Sequence, residues 1–138
     1  MLAHRFFPVL FALALVAPAL SHAAGAAPAG KSAVLLRLDP DSDGTVSLDE
    51  AKAAAAARFE ALDTDQEGTL DAGELTGILS KRGLAKADSD KDGTLDKAEF
   101  TALAVQYFQK ADKDKDGTLD AKELNSPAGR ALVALLGG

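Results

Sequence analysis

The chain has 138 residues, a formal charge of -6, 47% hydrophobic residues and no cysteine. That length suits one small domain. The missing thiols exclude a disulfide framework and a cysteine nucleophile, and the acidic balance argues against a nucleic-acid partner.

The chain opens with Arg5 ahead of an apolar run over residues 6–20, followed by Ser21, His22 and Ala23. A basic start, an apolar middle and small residues at the end make up a secretory signal. The run contains Pro8 and Pro18 and falls short of the roughly 20 residues that a spanning helix needs. Residues 1–23 therefore read as a signal peptide cut near Ala23. The expected location is periplasmic or secreted, with no membrane attachment after cleavage. Residues 24–31, rich in Ala, Gly and Pro, read as a flexible leader, and residues 32–138 as the domain. Both histidines, His4 and His22, leave with the signal, so no Ser-His couple remains and no enzymatic role is expected.

Losing Arg5 takes the charge from -6 to -7. Of the 21 carboxylates, all but Glu60 lie in four twelve-residue windows, which start at Asp39, Asp63, Asp88 and Asp112. Acids stand at position 3 (Asp41, Asp65, Asp90, Asp114), at position 5 (Asp43, Glu67, Asp92, Asp116) and at position 12 (Glu50, Glu74, Glu99, Glu123). Glycine fills position 6 and threonine position 7 (Thr45, Thr69, Thr94, Thr118). A hard cation such as Ca²⁺ takes six to eight oxygens at about 2.3–2.6 Å. Alternate acids on a tight loop supply side-chain oxygens, position 7 a backbone carbonyl, and the glutamate at 12 two more. Glycine at 6 makes the sharp turn. Apolar residues at position 8 (Val46, Leu70, Leu95, Leu119) suit a short β-bridge between two loops. Loop 2, with Glu67 at position 5 and Gly73 loosening the start of the following helix, departs from the pattern and is expected to be the weakest site.

The connectors 51–62, 75–87 and 100–111 are too short for an exit helix, a linker and a lead-in helix. Each reads as one helix serving two loops. Phe59 and Leu62 recur at helical period in the first, Leu75, Ile78, Leu79 and Leu84 in the second, and Phe100, Leu103, Ala104, Tyr107 and Phe108 in the third. Gly77 and Gly83 weaken the second by about 1 kcal/mol each relative to alanine. A twelve-residue helix is about 18 Å long, so the loops at its two ends cannot touch. Loops 1 and 3 are then expected at one end and loops 2 and 4 at the other. A short helix over 32–38 precedes loop 1. Ser126-Pro127 forms an N-cap with proline at the first helical position and starts a last helix through Leu136. The expected fold is all-α: a compact bundle of three central helices, each shared by adjacent loops, with short flanking helices.

The fourfold repeat resembles the EF-hand superfamily, and nearly the whole domain resembles the lanmodulins, exported bacterial EF-hand proteins that bind trivalent lanthanides in preference to Ca²⁺. The likeness rests on four loops about twelve residues apart, the Asp39-Pro40-Asp41 opening, the Asp-Gly-Thr-Leu-Asp cores, and the tail Ser126-Pro127-Ala128-Gly129 followed by Ala131-Leu132-Val133. It implies up to four bound ions, Ca²⁺ or a lanthanide(III). The implied ligands are Asp39, Asp41, Asp43, Thr45 and Glu50 in loop 1, and Asp63, Asp65, Glu67, Thr69, Asp71 and Glu74 in loop 2. Loop 3 would supply Asp88, Asp90, Asp92, Thr94, Asp96 and Glu99, and loop 4 Asp112, Asp114, Asp116, Thr118, Asp120 and Glu123. The family's extra acid at position 9 is present as Asp71, Asp96 and Asp120, while loop 1 has Ser47. Of the family's prolines at position 2 only Pro40 remains, with Thr64, Ser89 and Lys113 elsewhere.

Five crowded carboxylates favour a trivalent ion over a divalent one of similar size, and abundant extracellular calcium keeps Ca²⁺ in play. The functional expectation is a metal buffer or carrier that orders on binding. The alternative is a calcium sensor that docks a partner protein on an exposed apolar surface. Such sensors use Met-rich grooves, and Met1 is the chain's single methionine.

Overall fold

The structure, a computed structural model, describes residues 33–137. The signal peptide and the leader lie outside the described residues. No described helix is long and apolar enough to cross a membrane.

Four lead-in segments end in the same way. Helix α1 (Leu35–Leu38), α2 (Leu48–Leu62), α3 (Lys81–Ala87) and α4 (Lys97–Ala111) each stop on the aspartate at position 1 of a loop. The amide of that aspartate donates back to the carbonyl of Leu35, Phe59, Leu84 or Phe108 at 2.8–2.9 Å. All four of those residues are buried. The last turn of each helix therefore fixes a loop's first carboxylate to the core.

Beyond each loop's glycine the chain extends for two residues: β1 (Val46–Ser47), β2 (Thr69–Leu70), β3 (Leu95–Asp96) and β4 (Thr118–Leu119). β1 pairs antiparallel with β4, Val46 facing Leu119, and β2 pairs with β3, Leu70 facing Leu95. All four of these residues are 0% exposed, as the bridge expectation required. Loops 1 and 4 thus share one end of the bundle, and loops 2 and 3 the other.

That pairing corrects the expected grouping of loops 1 with 3 and 2 with 4. The expectation needed three spanning helices, each carrying the chain from end to end. The outer connectors are such helices, but the middle one is not. Residues 72–79 form turns, Gly77 takes φ +82°, and Ser80 starts a new helix by accepting from the Gly83 amide at 3.1 Å. A φ of that sign is cheap only for glycine. The reversal keeps loop 3 at the end that loop 2 already occupies, and α4 then returns the chain to loop 1. The middle connector's apolar residues still pack, with Leu75 and Leu84 buried and Ile78 and Leu79 half-buried.

The core lies among α2, α4 and α6 (Pro127–Leu136), the last reached through α5 (Ala121–Leu124). Ala51, Ala55 and Phe59 line one stripe of α2 at helical period. Phe59 meets Phe100 of α4 edge-on, with ring centroids 6.0 Å apart. Glu60, the one acid outside the loops, reaches Lys97 at 2.8 Å across the same two helices. The all-α class and the compact bundle are as expected, and so is α6, with Ser126 as N-cap and Leu136 as its last residue.

Gly129 is buried where α6 crosses α5, and a Cβ there would strike the backbone of Glu123 and lie 2.6 Å from Leu124 Cα. Backbone cannot step aside as a side chain can. Gly129→Ala is expected to destabilise the fold by about 1–3 kcal/mol, the usual cost of overpacking. Thermal unfolding of the metal-loaded protein measures it, and an unchanged Tm would contradict this packing.

Candidate metal centre

Each loop turns its backbone amides inward. The position 6 glycine amides donate to the position 1 carboxylates of Asp39, Asp63, Asp88 and Asp112 at 2.9, 3.0, 2.9 and 3.2 Å. The position 5 amides donate to position 3, at 3.2 Å in loops 1–3 and 3.3 Å in loop 4. To aim these donors, position 4 takes φ of 58–62° at Ser42, Gln66, Lys91 and Lys115. A non-glycine residue held there stores strain of order 1 kcal/mol. In loops 1, 3 and 4 the position 5 aspartate also accepts from the amide and hydroxyl of Thr45, Thr94 or Thr118 at 2.7–2.8 Å. The longer Glu67 makes no such bond to Thr69.

The closing glutamates of loops 1, 3 and 4 sit in the first turn of the exit helices. Ser47, Asp96 and Asp120 are N-caps, and their side chains accept from the amides of Glu50, Glu99 and Glu123 at 3.2, 2.7 and 2.7 Å. The glutamates reach back to the cap amides, which completes three capping boxes. Asp71 accepts from Glu74 in the same way at 2.9 Å, although no regular helix follows. Position 9 thus has a structural duty beside any ligating one. Reading the repeat only as ligands misses it; the Ser/Asp-x-x-Glu spacing is the sequence signal that finds it.

Oxygens of Asp63, Asp65 and Glu74 lie within 4.8 Å of one another, as do those of Asp88, Asp90 and Glu99, and of Asp112, Asp114 and Glu123. In loop 1 the group is Asp39, Asp41 and Asp43. Thr45, Thr69, Thr94 and Thr118 stand at the turn out of each loop, where their carbonyls belong to the expected set. Glu67, Asp92 and Asp116 at position 5, and Asp71, Asp96 and Asp120 at position 9, lie outside these groups, as does Glu50.

The arrangement is electrostatically incomplete. Asp39 and Asp88 are 4% and 9% exposed, and every position 1 acid sits at a helix C-terminus, where the backbone dipole opposes a negative charge. Glu50 Oε1 and Asp112 Oδ1 are buried with no donor in reach. Buried carboxylate oxygens of this kind call for a cation. Hard, closely gathered carboxylate oxygens with no nitrogen or sulfur suit Ca²⁺-like ions.

A loop lined in this way defines a cation-binding helix-loop-helix protein. A family model described as EF hand matches residues 55–79, 82–105 and 104–126, together about half of the chain, and the chain belongs to the EF-hand family. The matched stretches hold loops 2, 3 and 4; loop 1 lies outside them, though β1 gives it the same place in the fold. No curated protein shows a significant match.

Protonation follows the same geometry. Burial would raise Asp39, but the amides of Gly44 and Asp43 and contact with Asp41 outweigh it and hold the carboxyl below the usual 3.8. Thr94 and Thr118 lower Asp92 and Asp116 through hydroxyl and amide bonds. Asp41, Asp90 and Asp114 go the other way. Each accepts a lowering amide bond from position 5, which is outweighed by burial and by neighbouring acids: Asp39, Asp43 and Glu50 around Asp41, Asp92, Glu99 and Asp88 around Asp90, and Asp116, Glu123 and Asp112 around Asp114.

A raised acid stabilises the metal-free fold while protonated, and that contribution is lost as pH rises through its raised value. The lowered acids contribute above the usual range, and theirs is lost as pH falls through the lowered values. Metal binding just above the ordinary aspartate range should therefore release protons from position 3, and binding at pH 7 should release none. Calorimetry in buffers of different ionisation enthalpy reads the difference; equal, zero release at both would contradict the raised values.

Proposed function

We propose that this EF-hand protein is an exported buffer or carrier of Ca²⁺ or a trivalent lanthanide, whose loops order when an ion neutralises them. The observation that carries the reading is the pair of buried, donorless oxygens, Glu50 Oε1 and Asp112 Oδ1, inside loops that already crowd carboxylates within 4.8 Å. Without an ion these groups repel one another, and no donor offsets the burial of those two oxygens. With one, the loops become the strongest links between helices. Binding free energy is then folding free energy.

The choice of ion follows charge. Four divalent ions would take the processed chain from -7 to +1, and four trivalent ions to +5. The acids at positions 1, 3, 5, 9 and 12 of loops 2–4 favour the higher charge, and Ser47 makes loop 1 the most calcium-like. Export rests on the signal pattern of residues 1–23, which gives a periplasmic or secreted location. The sensor alternative needs an apolar face, and among the described residues the exposed large hydrophobics come down to Leu36. No enzymatic role is proposed, because the acids are engaged in loops and caps.

Competition of La³⁺ against excess Ca²⁺, followed by circular dichroism, tests both parts. The metal-free protein should gain helix on titration, and La³⁺ should displace Ca²⁺ from loops 2–4. An equal or weaker response to La³⁺ removes the lanthanide reading. A metal-free spectrum already fully helical and unmoved by either ion removes the ordering.

A further inference from the structure

We propose that position 2 of each loop decides whether the closing glutamate is seated before an ion arrives, and that Pro40 makes loop 1 the loop whose glutamate the ion must draw in. The inference rests on the metal-loop reading above and goes beyond it to the order in which the loops fill.

In loops 2, 3 and 4 the position 2 amide crosses the mouth of the loop. Thr64, Ser89 and Lys113 donate to Oε1 of Glu74, Glu99 and Glu123 at 2.8, 2.6 and 2.9 Å. Thr64 adds its hydroxyl at 3.0 Å. Each of these three glutamates stands in its loop's gathered group with positions 1 and 3. Proline has no N–H to give. Glu50 consequently keeps only the Ser47 amide, on Oε2 at 2.7 Å, while Oε1 is buried without a donor. It is also the one closing glutamate outside its loop's group. The helix cap does not account for the difference, because the capping box is complete in loop 1 as it is in loops 3 and 4.

A seated glutamate needs little movement to become a ligand. Glu50 needs more, and as the third residue of α2 it moves that helix's first turn with it. Loop 1 should therefore fill last, coupling its ion to α2. Glu67 and Gly73 do not make loop 2 the last to fill, since two donors already hold Glu74.

Backbone NMR of the full chain during titration with La³⁺, and separately with Ca²⁺, reads each loop through its own glycine amide: Gly44, Gly68, Gly93 and Gly117. The Gly44 signal should shift at the highest ion concentration. Pro40 is exposed, so Pro40→Ala leaves the core untouched and restores the amide. It should tighten loop 1 by up to about tenfold, the saving from a ligand side chain that no longer has to be ordered on binding, and leave Gly68 and Gly93 unchanged. In a Glu50→Ala background the same change should do nothing. Gly44 responding with or before the other glycines, no gain or a loss from Pro40→Ala, or the same gain without Glu50 overturns the inference. If none of the four glycines responds to either ion, the metal reading itself fails, which is a separate outcome.

Discussion

Like charges held a few ångströms apart must be faced by donors, and here nearly all the donors are backbone amides. This constraint shapes each loop down to single dihedral angles. Position 4 accepts a left-handed conformation, and position 6 is glycine, because only then do consecutive N–H groups converge on the acids at 1 and 3. The amides at 9 and 12 are spent on the cap and the closing glutamate. What remains is a cage of carboxylate oxygens whose partial neutralisation comes from dipoles alone. An ion completes it.

The same cages tie the bundle together. Their first residue ends a helix, their last sits in the first turn of the next helix or turn segment, and their eighth is buried against a neighbouring loop. A loop cannot change shape without moving two segments and a core residue. The position 8 pairs, Val46 with Leu119 and Leu70 with Leu95, make each end of the bundle a two-loop unit. The Ala-rich stripe of α2 lets α4 come close between those ends. Coupling between sites then has a short physical route through one β-bridge rather than along 15-residue helices.

Much of this was legible in the chain. The loops, the buried position 8 residues, the outer connectors and the bounds of α6 follow from period and spacing, because each depends on contacts near in sequence. The pairing of loops did not follow. It turned on whether residues 75–87 would stay helical, and two glycines with a serine between them could be read as weak points or as a break. The break wins because it lets Leu70 meet Leu95, a gain that lies outside any local window. The capping role of Asp96 and Asp120 was hidden for the opposite reason, since one spacing serves both a cap and a ligand. The unseated Glu50 was hidden behind a residue noted for its presence, when what matters is the hydrogen atom it lacks.

The pairing of the first loop with the fourth brings distant parts of the chain together. Arg37, just ahead of loop 1, donates to the carbonyl of Gly137 at 3.3 Å, and Arg58 lies against the same glycine. The described fold is therefore nearly a closed ring, with a reversal at Gly77 opposite this joint. It does not divide into two separable lobes of two loops each, because neither half contains a complete bridge. Joining the ring near Arg37 and Gly137 and opening it at the Gly77 turn would give a permuted chain in which the same loops still face one another, with loops 4 and 1 now neighbours in sequence order and loops 3 and 2 at its two ends.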